Sequence, residues 1–238
     1  MREIKVSDSS HNEAGVAYIY GALSGALSDL NGNIYADTDD VRSTIKIEVA
    51  NAYGDYVKSE VEDKIADVIA VRYKYFFFRK FIKVGGLTPL ETEMLFCALI
   101  AADIDDDKKY IMRKLRPFGE YSIDGVFNFR LSPLKKKWAD IVGYIPSFFS
   151  AEKFTDFVSY LVGEKSGKTV TVENGKVYDK HFNVFKRTEL TGDMEEGRIA
   201  REVILSACGD VRILSPLPPT DERYIKRFFS GRITTWEN

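Results

Sequence analysis

The chain has 238 residues, 45% of them apolar and 29% charged, with a formal net charge of −2. That composition excludes a disordered chain, which needs low hydrophobicity and high net charge. It also excludes a global field drawing the molecule to nucleic acid or anionic membrane, so such a partner would need a local basic patch. The length suits one large domain or two small lobes around a real core.

In chain order, Ile4-Lys5-Val6 alternates apolar and charged residues and predicts a short strand. The start lacks the apolar core of a signal peptide, and no stretch reaches the roughly 20 apolar residues of a membrane span. Residues 13–30 predict a loosely specified helix, because Gly15, Gly21 and Gly25 each lower helix propensity. Their placement near one face predicts close helix packing. Asn31-Gly32-Asn33 reads as a turn. Thr38-Asp39-Asp40 offers an N-cap and acidic first turn for one long helix. Its apolar stripe is Val49, Tyr53, Val57, Val61, Ile65 and Ile69. The aromatic run Tyr73–Phe81 at its end is expected to be buried on most sides as core packing.

Gly85-Gly86 ends that helix, and Thr88-Pro89-Leu90-Glu91 is a capping box with proline at the first helical position. This second helix is expected to stop near Ala102. An acidic junction at Asp103–Asp107 and a helix over Tyr110–Leu115 follow, with Pro117 as breaker. Ser150 caps a helix running to Gly163. Thr169–Val172 and Lys176–Tyr178 flank Glu173-Asn174-Gly175, a hairpin signal. A helix from Asp193 to Gly209, a strand over Val211–Leu214, a helix from Thr220 and a strand over Arg232–Trp236 complete the chain. That alternation predicts a βαβ unit with parallel pairing. The fold class is therefore α+β. A mainly helical part over 1–165 packs with an α+β part over 166–238, joined near Glu164-Lys165-Ser166-Gly167 as one compact unit.

Chemistry is sparse along the chain. His11 and His181 have no Cys or His at ligand spacing, so no zinc site is expected. Cys97 and Cys208 lie on apolar helix faces, without CxxC spacing, which points to small core hydrophobes in a reducing, cytoplasmic compartment. No G-x-S-x-G, G-x-G-x-x-G or complete P-loop occurs. Gly163–Thr169 ends like a P-loop, but its spacing is one residue short and it leads into a strand, so a plain turn is the better reading. Asp103, Asp105, Asp106 and Asp107 lack the glycine and terminal glutamate of an EF-hand and read as solvated acids. No cofactor, metal or catalytic residue is assigned. The functional surface singled out is basic: Arg113, Lys114, Arg116, Arg130, Lys135, Lys136 and Lys137, interleaved with Tyr121, Phe127, Phe129 and Trp138. Such a segment suits an anion or single-stranded nucleic acid, against a solvated helix face with inward aromatics.

Ile123-Asp124-Gly125-Val126-Phe127-Asn128-Phe129-Arg130-Leu131 resembles a characteristic stretch of the YtxC-like sporulation proteins of endospore-forming bacteria. Trp138–Val142 and Glu152–Val162 are similar to that family's next helices. The order hairpin, helix, strand, helix, strand agrees over roughly residues 60–238. Pro133 and Pro146 depart from the pattern. The resemblance implies a sporulation-associated cytosolic protein and brings no reaction with it. Within the motif, Gly125 suggests close backbone packing, and Arg130 suggests a partly buried charge needing a partner. The expected function is a non-enzymatic interaction or regulatory protein whose partner is another protein. Nucleic-acid binding through segment 113–138 is the alternative, and an enzyme with an unlisted site the third reading.

Overall fold

The computed structural model describes residues 1–115, 119–163 and 167–235. The chain forms two compact units, each assembled from separated segments: Met1–Lys74 with Asp105–Asp140, and Tyr75–Ile104 with Ile141–Asn238. The class is α+β, with two mixed four-stranded sheets, one in each unit.

The first unit opens with β1 (Arg2–Ser9), α1 (Glu13–Asp29), β2 (Asn33–Thr38) and β3 (Arg42–Val49). β3 pairs antiparallel with both β1 and β2. The result is a split βαβ motif with β3 inserted between two parallel strands. β4 (Glu120–Ser122) adds parallel to β1, giving the order β2-β3-β1-β4. Alternation along β1 and β3 buries Ile4, Val6, Ile45, Ile47 and Val49 on the side that α1 covers. The opposite face is polar, with Lys46 bridging Glu3 at 3.0 Å and Glu48 at 2.9 Å. Gly15 of α1 is where close packing is required: a Cβ there would lie 2.8 Å from Val68 Cγ1. Gly21 and Gly25 are exposed and open, so the expected packing role belongs to Gly15 alone.

Thr38–Ala50 is not the start of the long helix. The same acid that caps helices caps a hairpin turn here: Asp39 Oδ1 accepts from the Val41 and Arg42 amides, each at 2.7 Å. Ser43, Ile45, Ile47 and Val49 then bury with period two. The helix begins later, as α2 (Gly54–Asp67), a π-helical stretch over Val68–Tyr73 and α3 (Lys74–Phe81). Tyr75 and Phe78 are buried, whereas Phe76 and Phe81 are exposed, so that end is only partly enclosed.

α4 (Pro89–Leu115) is one helix through Asp103–Asp107, with no junction there. The acids are accommodated because Ile104, Asp107, Ile111 and Leu115 share its buried stripe. The capping box is present: Glu91 N–H donates to Thr88 Oγ1 at 3.2 Å, and Thr88 N–H donates to Glu91 Oε2 at 3.0 Å. α5 (Ile123–Arg130) and α6 (Ser132–Tyr144) follow β4.

In the second unit, α7 (Ala151–Gly163) starts at Ser150, whose Oγ accepts from Lys153 N–H. β5 (Thr169–Glu173) and β6 (Lys176–Tyr178) form the expected hairpin, with Asn174 and Gly175 both at positive φ. α8 (Arg198–Leu205), β7 (Asp210–Ile213), α9 (Pro219–Phe228) and β8 (Ile233–Thr235) give the order β6-β5-β7-β8, with β5, β7 and β8 mutually parallel. α8 begins five residues later than the sequence suggests, because Gly197 is left-handed at φ +64° and resets the chain direction.

Residues 1–165 therefore contribute to both units, and 166–238 form part of one, in place of a single division at 165/166. The unit boundaries fall inside α3, α4 and α6, within continuous helices. Glu164–Ser166, Pro117 and Trp236, named as boundary, breaker and strand end, lie outside the described residues. No described helix is long and apolar enough to cross a membrane.

Candidate functional site

The basic segment is divided among several surroundings. Arg113 and Lys114 are exposed at the end of α4, their charges 5.8 and 5.5 Å from the Tyr110 ring centre. Arg113 and Lys137 border one hollow of about 280 Å³ together with Asp106 and Asp107. Asp107 is buried, and its Oδ2 accepts from Lys74 Nζ at 2.8 Å and Trp138 Nε1 at 3.0 Å. Its Oδ1 accepts from Lys137 Nζ at 2.9 Å. Burial alone would raise this carboxyl's pKa, but the Lys74 ammonium and the three donors outweigh it and hold it below the ordinary range. Lys137 thus completes a framework ion cluster. Lys135 donates to the Asn128 carbonyl at 3.1 Å and lies 5.2 Å from the Phe127 ring centre. Lys136 is exposed, and Arg116 lies outside the described residues.

The interleaved aromatics mostly turn inward. Tyr121 is buried and donates to Glu62 Oε1 at 2.7 Å. Trp138 is fully buried, and Phe127 lies between Trp138 and Tyr73, with ring centres 5.9 and 4.5 Å away. Phe129 is the exception at 83% exposure.

The motif Ile123–Leu131 forms α5 and the turn after it. Ser122 caps α5 by accepting from Gly125 N–H at 3.2 Å, and also donates to Asp124 at 2.7 Å. Arg42 donates to the same Asp124 oxygen at 2.9 Å. A Cβ on Gly125 would sit 2.7 Å from Oγ of its own capping residue Ser122, so the crowding at Gly125 is with the cap side chain and not with another stretch of backbone. Ile123, Val126 and Leu131 are buried, fixing the helix on the unit. Arg130 is exposed, not semi-buried: it stands one turn after Val126 and two after Ile123, but as the last residue of α5 it lies where the helix ends and its side chain reaches solvent. Phe129 and Arg130 border a hollow of about 360 Å³ with Glu120, Ser122, Gly125 and Val126. It is a shallow surface carrying one aromatic ring and both signs of charge.

A second polar centre escaped sequence reasoning. Asp8, at the end of β1, is fully buried; its Oδ1 accepts from Tyr73 Oη at 2.7 Å and Ser9 N–H at 2.8 Å. Oδ2 has no hydrogen-bond partner. Burial pushes the carboxyl up to about 6, partly offset by these bonds. Only the break in apolar alternation at Val6-Ser7-Asp8 signalled it.

The two cysteines belong to the core. Cys97 and Cys208 are buried, and burial pushes their thiols up to about 12 and about 11, away from nucleophilic chemistry. His181 is exposed in a turn organised by Asp179. Among the described residues no group of His, Cys, Asp or Glu is arranged to hold a metal. Thr169 opens a strand, as the P-loop rejection required.

Comparison with protein-family models, curated proteins and solved structures finds no match to this chain. The fold itself defines an α+β protein of two mixed four-stranded sheets.

Proposed function

We propose that this chain is a non-enzymatic interaction or regulatory protein of the sporulating cytoplasm, which meets another protein through the α5 surface. The observation that carries the reading is Phe129, 83% exposed beside the exposed Arg130 on a helix anchored by buried residues. Exposed aromatics and arginines supply most of the binding energy at protein interfaces. Glu120 on the same hollow suits a partner of mixed charge better than a uniformly anionic backbone. The sporulation context rests on the resemblance of Ile123–Leu131. Nucleic-acid binding is the second reading, favoured by the exposed Arg113 and Lys114 beside Tyr110.

The two readings separate in one comparison. Proteins cross-linked to the wild-type chain in extracts of sporulating cells are compared with those captured by Phe129→Ser and by the pair Arg113→Ser, Lys114→Ser. The expected result is a partner retained by the pair variant and lost with Phe129→Ser, whose Tm stays near wild type because the position is exposed. Tight oligonucleotide binding that falls steeply with salt and depends on Arg113 and Lys114, not Phe129, would establish the second reading instead.

A further inference from the structure

Arg201, in the first turn of α8, is fully buried. A guanidinium stays protonated in proteins, so it cannot relieve burial by losing its charge. Buried charges are held by opposite charges because desolvation is otherwise uncompensated. Arg201 has only neutral acceptors: the Met194 carbonyl takes one Nη2 hydrogen, and Thr191 Oγ1 takes one from Nη1 over a long 3.4 Å. Its Nε–H has no partner.

Two carboxylates on and against α8, Glu202 and Asp221, are already committed. Glu202 accepts the Arg187 and Thr188 amides at 2.8 and 2.9 Å and the Thr188 hydroxyl at 2.6 Å. Asp221 accepts the Ala200 amide at 2.8 Å and so caps α8. Burial raises the pKa of both carboxyls, which lessens what either contributes as a counter-charge.

Arg201 lines a hollow of about 560 Å³ between the β5–β6 hairpin, the 185–195 loop and α8. That volume is in the range of small-molecule sites. Val177, Phe185 and Ile199 give it an apolar wall, and the exposed Lys176 and Lys186 stand at its mouth. Glu189 and Asp193 are also at the rim, and Glu195 is 3.6 Å from Arg198. The hollow is lined by both signs of charge, with Arg201 and Glu202 from α8 and Lys176, Lys186, Glu189 and Asp193 around them.

We infer that this hollow binds a small molecule with a terminal oxyanion, phosphate or carboxylate, seated on the Arg201 Nε–H edge, and with hydrogen-bond donors toward the acidic rim. The oxyanion supplies the counter-charge that the chain withholds from Arg201. The site is separate from the α5 surface and stands or falls without it.

The test titrates the full-length wild-type chain with inorganic phosphate and, separately, with succinate, against sodium chloride at matched ionic strength. The readouts are Tm and the Arg201 Nε–H resonance, assigned from its loss in Arg201→Lys. A saturating shift of that resonance, with Tm rising with the logarithm of probe concentration, is the expected result. Response to phosphate alone makes the ligand a phosphate, and response to succinate alone makes it a carboxylate. Arg201→Met is expected to melt no lower than the unliganded wild type and to lose the probe response. An Nε–H resonance unmoved by either probe overturns the inference, as does a full response in Arg201→Met. If Arg201→Met does not fold, the wild-type titration decides alone.

Discussion

Asp8 shows how one side chain ties stability to pH. In the unfolded chain its carboxyl titrates near 3.8, and in the fold near 6. Between those values the folded state keeps a proton that the unfolded state has released. Stability is therefore fully present below about pH 4 and is lost as pH rises toward 6, by about 3 kcal/mol at most. Asp8→Asn removes this dependence. Its urea-unfolding free energy is expected to exceed wild type by roughly 1–3 kcal/mol at pH 8, with the advantage gone below pH 4. A wild-type stability that is flat between pH 4 and 6 would refute the assignment. Asp107 presents the opposite case: equally buried, it has three donors and stays ionised. The difference between the two carboxylates lies in their neighbours, and those neighbours are distant in sequence.

At the scale of elements, local chemistry decided where segments begin and long-range packing decided what they are. Thr88 and Glu91 satisfy each other's amides, so α4 starts where the capping box placed it. Thr88→Ala is expected to destabilise the protein by about 1 kcal/mol, measured as a lowered urea midpoint at unchanged slope. No change in midpoint would mean that the cap adds nothing to the packed helix. The Asn174-Gly175 turn was equally legible, because both residues must take positive φ and few others do so cheaply. Asp39 misled for the reason that made it informative: an aspartate accepts two successive amides equally well at a helix start and in a hairpin turn. The alternation of Ser43, Ile45, Ile47 and Val49 was the signal that separates the two. The four-residue spacing from Val49 onward belonged to α2 and was extended too far back.

For the whole molecule, the two thiols offer a direct measure of opening. Cys97 and Cys208 lie in the same compact unit and are sealed from solvent. A thiol reagent such as 5,5′-dithiobis(2-nitrobenzoic acid) is expected to modify neither in the native protein within minutes and both at once in 6 M guanidinium. Under native conditions their labelling should follow a common opening of that unit, at a rate set by its stability. Fast native labelling of either cysteine would contradict the burial. The α+β class, the helix starts at α1, α4, α7 and α9, the hairpin and the parallel C-terminal pairing were determined by the sequence alone. Each follows from periodicity, caps or turn residues within a few positions of one another. Tertiary structure alone decided that Lys137 serves Asp107, that Phe129 faces outward while Phe127 does not, and that Arg201 is buried without a carboxylate. Whether a charge is compensated depends on distances of a few ångströms between residues tens of positions apart, and a linear pattern carries no record of those distances.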